Sequence, residues 1–211
     1  MSDINALQLI EKFRPAFGDI AEKGIELLIK RWWDRRLREN REIIMSELRS
    51  GVFDHVEEDD SISLIYKLCR SISEGIAKKN LVLLCRLMTG LSERRKLSVQ
   101  SFNRFSSVLE SLTYDEMIVL SALNKFHQES EQTIDSGLAA DWLAGETVKG
   151  EAPTNKVMEK DETRAICAAL TRTGLVTTVP TFDYAGYNLT PLFFQLIEYI
   201  GGIEAIAGMD I

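Results

Sequence analysis

Apolar residues recur at helical spacing along most of this chain. A short amphipathic pattern from Asp3 to Phe13 stops at Pro15, a residue tolerated where a helix starts but not within one. From Phe17 to about Ser50 the pattern resumes, with Ile20, Gly24, Leu28 and Trp32 four residues apart and Ile44 and Leu48 continuing the stripe. This predicts one long helix, ended by Gly51, that packs on a partner as well as on its own chain. The acids Glu57 to Asp60 suit the positive end of the next helix. From Ser61 onward Ile62, Ile65, Cys69, Ile72 and Ile76 form a narrow seam, broken near Lys78, Lys79 and Asn80. Leu81, Leu84, Met88 and Leu91 then start another, so a helical hairpin is expected. Ser98 stands where it caps a further helix carrying Phe102, Phe105, Val108, Leu109 and Leu112.

Thr113 followed by Glu116 is a capping box for a helix from Tyr114 to about Glu129, whose apolar face is Met117, Leu120, Leu123 and Phe126, with Ile118 alongside. A short helix containing Trp142 fits Asp135 to Ala144, and GETVKGEAPTN reads as a loop. A helix from about Lys156 to Thr173 closes at Gly174 in the left-handed conformation. The period then turns extended: Leu175 to Val179 is a strand, Pro180 to Gly186 a turn, and Tyr187 to Leu189 the returning strand. Thr190 and Pro191 cap and open a last helix, Leu192 to Ile200. The expected fold is mainly α: long helices and a helical hairpin over 1–112, a small α+β module with one β-hairpin over 113–200, and a glycine-interrupted tail over 201–211.

The order helix, short helix, helix, hairpin, helix over 113–200 resembles a winged-helix domain. LTYDEMIVLSAL carries the resemblance at the first helix, and ALTRTGLVTTV with YNLTPLFFQLIEYI carries it at the wing and closing helix. In that family Leu170, Gly174, Leu175 and Val176 would end the third helix and enter the wing, and Leu189 with Thr190 would lead out. NLVLLCRLMTGL followed by SFNRFSSVLESLTYDEMIVLSAL is similar to the Abi-alpha type of bacterial abortive-infection protein. That resemblance implies a role in conflict between bacteria and phage.

Charge changes how the winged-helix resemblance is read. The net charge of -7 is unevenly spread: residues 1–112 hold 19 Lys+Arg against 17 Asp+Glu, and residues 113–211 hold 6 against 15. A winged helix used on DNA would present Lys156, Lys160, Arg164 and Arg172 to phosphate, but these sit among Glu159, Asp161 and Glu162 in a strongly acidic module. Packing or protein contact is the favoured use. The densest basic stretch is KRWWDRRLRENR, where Lys30, Arg31, Arg35, Arg36, Arg38 and Arg41 surround Trp32 and Trp33. Arginine with tryptophan suits an acidic protein surface, a nucleic-acid backbone or an anionic membrane surface. Asp34, Glu39 and Glu42 interleave, so a solvated face with local ion pairs is an equal reading. Arg94, Arg95 and Lys96 make a second basic patch in a loop, and the two would join into one anion-binding surface if they face the same way.

Catalytic chemistry finds no support in the residues. Neither GxxxxGK[ST] nor GxGxxG occurs, and no nucleophile motif accompanies the only histidines, His55 and His127. His55 beside Asp54, Glu57 and Glu58 reads as a surface residue, and His127 complements its helix dipole. Cys69, Cys85 and Cys167 lie far apart in apolar stretches and read as small buried hydrophobes, not a metal or disulfide set. The N-terminus lacks a signal-peptide pattern, and no apolar run approaches the roughly 20 residues that span a bilayer. The expectation is therefore a cytoplasmic, non-catalytic interaction or assembly protein without metal or cofactor. It would bind a protein partner or itself through its helices; the alternative is a winged-helix DNA-binding regulator.

Overall fold

The computed structural model describes residues 23–128, 136–146, 148, 157–180 and 185–203; of these, 23–34, 128, 136–138 and 185 are described by backbone alone. The pattern around Pro15 lies outside the described residues, as does the tail beyond Ile203. The described residues are mainly helical, with one two-stranded antiparallel sheet towards the C-terminus. The chain divides into two compact units, Met1–Ser111 and Leu112–Ile211.

In the first unit α1 (Lys23–Glu47), α2 (Glu58–Glu74), α3 (Lys78–Glu93) and α4 (Val99–Ser111) form an antiparallel bundle. Side-chain bonds fix the directions. The Asp60 carboxylate accepts from the Val99 N–H at 3.3 Å near the start of α2 and α4, and Ser71 bonds Glu110 near their ends, so these two helices run parallel. Asn80, in the first turn of α3, donates to the Leu109 carbonyl in the last turn of α4 at 2.6 Å, so α3 runs against them. Glu47 closes α1 beside Arg86 and Thr89, making α1 parallel to α3. Both α1 and α4 pack on α2 and on α3.

Helix α3 is the centre of this unit. Leu81, Leu83, Leu84, Cys85, Leu87, Met88 and Leu91 are buried, which puts apolar side chains on nearly every face. The narrow seam expected from Leu81, Leu84, Met88 and Leu91 is thus too small, since Leu83 and Leu87 point to the other side and are equally covered. On α2 the covered stripe adds Leu64 and Leu68 to Ile65, Cys69 and Ile72, while Ile62 is only half-buried. The hairpin turn comes earlier than expected. Gly75 takes φ 89° and ends α2, with its N–H on the Ile72 carbonyl and that of Ile76 on the Ser71 carbonyl, so Ile76 falls in the turn and Lys78 opens α3. The acids Glu58, Asp59 and Asp60 lie inside the first turn of α2 and not ahead of it. Helix α1 stops at Glu47, short of Gly51, which sits in the following turn.

The second unit holds α5 (Tyr114–Gln128), α6 (Ser136–Leu143), α7 (Lys160–Leu170) with a 3-10 turn at Thr171–Thr173, β1 (Val176–Pro180), β2 (Ala185–Leu189) and α8 (Pro191–Ile200). Met117 to Leu120, Ala122, Leu123 and Phe126 of α5 are buried, again wider than the one face expected. Thr113 and Glu116 close the capping box: the Thr113 N–H donates to the Glu116 carboxylate at 2.8 Å and the Glu116 N–H to the Thr113 hydroxyl at 3.2 Å. Helix α7 begins at Lys160, not Lys156, which lies outside the described residues. The hairpin pairs Val176 with Leu189 through Pro180 with Ala185, so Pro180, Ala185 and Gly186 belong to the strands and not to the turn. The Thr190 hydroxyl accepts from the Phe193 N–H at 3.3 Å and donates to the Gly174 carbonyl at 2.7 Å, joining the start of α8 to the entry of β1.

If α3 carries the first unit, Leu84→Ala, at a site with 0% exposure, costs about 2–5 kcal/mol in urea unfolding. A cost below about 1 kcal/mol would mean that α3 is not the core.

Candidate functional site

The predicted basic stretch lies on α1. Lys30, Arg31, Trp32 and Trp33 fall in its backbone-only part, so their side chains lie outside the described residues. Arg35, Arg38 and Arg41 are exposed, and Arg36 is half-buried. Glu39 is shared by Arg35 at 3.7 Å and Arg36 at 3.9 Å, and these exposed helix pairs are worth a few tenths of a kcal/mol, ~0.3–0.5. The opposite side of α1, with Asn40 and Ile44, is buried. A guanidinium nitrogen of Arg36 stands 3.7 Å from where a Cβ on Gly75 would be, at the turn that opens α3.

The second basic patch is at the far end of the same helix. Arg94, Arg95 and Lys96 follow the last residue of α3, which has 16 residues and is therefore about 24 Å long. The two patches are not brought together: Arg36 lies by the start of α3, and Arg94 to Lys96 lie past its end. The second patch also has a local use. The Arg94 guanidinium donates to the Gly90 carbonyl at 3.2 Å, and the N–H groups of Arg95 and Lys96 donate to the Ser92 and Leu91 carbonyls at 2.8 Å. Cations here complement the negative end of the helix dipole. Arg95 has φ 54°, the position glycine usually fills in this motif.

Of the cations expected to face DNA, Lys156 lies outside the described residues and Lys160, Arg164 and Arg172 pair with acids of their own unit. Lys160 lies 2.8 Å from Asp141 and 2.7 Å from Glu146, and the hydrogen bonds to both carboxylates raise its pKa. Arg164 pairs with Asp161 at 3.2 Å. Arg172 reaches across to Glu116, with one guanidinium nitrogen at 3.1 Å from a carboxylate oxygen and the other also bonded to the carboxylate and to the Ala169 carbonyl. Glu116 thereby serves both its capping box and an ion pair 56 positions along the chain. Burial alone would raise its carboxyl, but the hydrogen bond and charge of Arg172 and the bonds from Thr113 hold it below the usual carboxylate range. Sequence reading missed this pair, since a glutamate three residues into a helix signals the cap and nothing about a distant arginine.

Other groups carry little chemistry. Cys69, Cys85 and Cys167 are buried, and burial pushes each thiol up to about 12. No group of three or more metal-ligating side chains occurs among the described residues, and His55 is exposed. His127 is half-buried with its ring 4.5 Å from that of Phe194. Lys125 lies 4.9 Å from the Trp142 ring centre, and Phe126 meets the same ring edge-on. No described helix is long and apolar enough to cross a membrane. A scan of protein-family models and searches of curated proteins and of solved structures return no match to this chain.

Two measurements check these contacts. The depressed Glu116 pKa gives stability that is present above the usual carboxylate range and is lost as pH falls through the lower folded value. Glu116→Gln should then cost about 1 kcal/mol at neutral pH, less than a fully buried pair because Arg172 is 48% exposed, and should flatten the acid limb of a stability–pH curve. An unchanged acid limb would remove the pair from the account. Separately, Arg95→Gly should raise stability by about 1 kcal/mol by relieving the left-handed backbone. A loss of stability would show that the Arg95 side chain makes up for its strain.

Proposed function

We propose that this chain is a non-catalytic interaction and assembly protein of bacterial or phage origin, linked to phage defence, which binds a protein partner or itself through its helices. One observation carries the reading. Lys160, Arg164 and Arg172 each pair with a carboxylate of their own unit, Arg164 with the exposed Asp161, and Glu159 and Glu162 are exposed on the same segment. Binding to DNA phosphate depends on cations that displace counterions, and the cations of this helix already answer carboxylates of their own unit. The basic residues of α1 lie on a bundle helix, where an exposed charged face serves contact with another protein.

A winged-helix DNA-binding regulator is the second reading. It is favoured by the element order of the second unit, in which α5, α6 and α7 precede the β1–β2 hairpin and α8 follows. On that reading α7 enters the major groove and the hairpin touches phosphate.

The two readings part on simple measurements. The assembly reading expects flow-through on heparin at about 0.1 M salt, where the Debye length is near 10 Å, and a dimer, a larger species or a stable protein complex by light scattering. Retention on heparin to moderate salt, with a shift of duplex DNA, would replace it with the regulator. A monomer at all micromolar concentrations, with no partner recovered, would end it.

A further inference from the structure

We propose that the arginine face of α1 docks on the acidic start of α7 in a second copy of this chain. The inference rests on the assembly reading above and gives that reading a contact.

Two surfaces carry it. On α1, Arg35, Arg38 and Met45 share the side of the helix opposite the buried Asn40 and Ile44, and Arg41 flanks them. Met45 is 50% exposed, one of four large hydrophobic side chains so exposed among the described residues. At the start of α7, Glu159, Asp161 and Glu162 are exposed, and Val157, another of those four, is 46% exposed two residues earlier. Each surface is an uncovered apolar side chain set among charges. Glu39 and Glu42 stand among the arginines of α1, and Lys160 and Arg164 among the acids of α7; the balance remains basic on α1 and acidic at α7, where Asp141 and Glu146 answer Lys160. The units differ in the same sense, because the strongly acidic half of the sequence belongs to the second unit.

Each set has a local use: the α7 acids favour their own helix dipole, Asp161 also pairs with Arg164, and Glu39 serves Arg35 and Arg36. Those α1 pairs are long and exposed, so a carboxylate from another copy replaces them at little cost. Local pairing also leaves Met45 and Val157 in water, and docking of the two surfaces covers both. The patches differ, so one docking event leaves the other patch of each copy unused. Two copies that exchange the contact about a two-fold axis form a closed, isologous dimer, and a one-way, heterologous contact continues into a ring or an open chain.

The test is sedimentation velocity of the full chain at micromolar concentrations in about 0.05 M and about 0.5 M salt, a range over which the Debye length shrinks severalfold. Wild type should associate at low salt and dissociate at high salt. Arg35→Glu/Arg38→Glu/Arg41→Glu and Glu159→Lys/Asp161→Lys/Glu162→Lys should each weaken self-association at least about tenfold with helical content unchanged. A one-to-one mixture of the two variants should restore a complex. If the lysine variant does not fold, Glu159→Gln/Asp161→Asn/Glu162→Gln must show the loss instead. Association that persists in the arginine variant, or a mixture that stays apart, overturns this contact and leaves the assembly reading standing. A wild-type monomer that still captures a foreign protein does the same. A wild-type monomer with no partner overturns both.

Discussion

A helix that is apolar on nearly every side has to be surrounded, and in the first unit this constraint decides the rest. The buried leucines of α3 face α1, α2 and α4, so none of those three can be left out without exposing a row of them. The polar groups on α3 fit the same demand. The last carbonyls of any helix lack partners within it, and buried ones are costly. Asn80 serves a carbonyl in the last turn of α4, and the Thr89 hydroxyl, at 2.9 Å, serves that of Glu47 at the end of α1. The central helix thus covers apolar surface along its length and terminates two of its neighbours with its few polar side chains.

The second unit meets its version of the problem at α5, which is buried around most of its circumference. The buried carboxylate there is Glu116, and an unpaired charge would be expensive. Its two partners answer different needs: the Thr113 backbone starts the helix, and Arg172 binds the end of α7 and its 3-10 turn to that start. The same arginine can therefore contribute little to any phosphate.

Local chemistry was legible in the sequence. The capping box at Thr113 and Glu116, the Thr190–Pro191 start of α8 and the left-handed Gly174 are set by neighbours within a few residues, and each is found. Ser98 likewise caps α4, accepting from the Ser101 N–H at 3.2 Å. Regular periodicity gave the helices but understated their burial, because a seam search keeps the best-aligned residues and drops Leu83, Leu87 and Val119, which a central helix also covers. The candidate sites were less legible. Whether Arg36 and Arg94 share a surface depends on helix direction, and whether Lys160 is available depends on Asp141 and Glu146, which lie 19 and 14 residues away in sequence. Spacing rules within one helix contain neither fact.

Charge therefore has to be read after folding, and the direction of the change is informative. Counting residues makes the second unit acidic, and pairing leaves that total unchanged but occupies the cations near α7, Lys160 with Asp141 and Glu146 and Arg164 with Asp161, so that fewer of them can answer an outside anion. On α1 the trend is weaker, because Glu39 answers two arginines at long distance and Arg41 stands exposed beyond it. Folding thus decides which charges are already engaged, without adding a single charged residue. Electrostatic complementarity chooses partners and speeds encounter more than it sets affinity. A lasting contact also needs apolar cover, because charged pairs at an exposed surface are worth little by themselves.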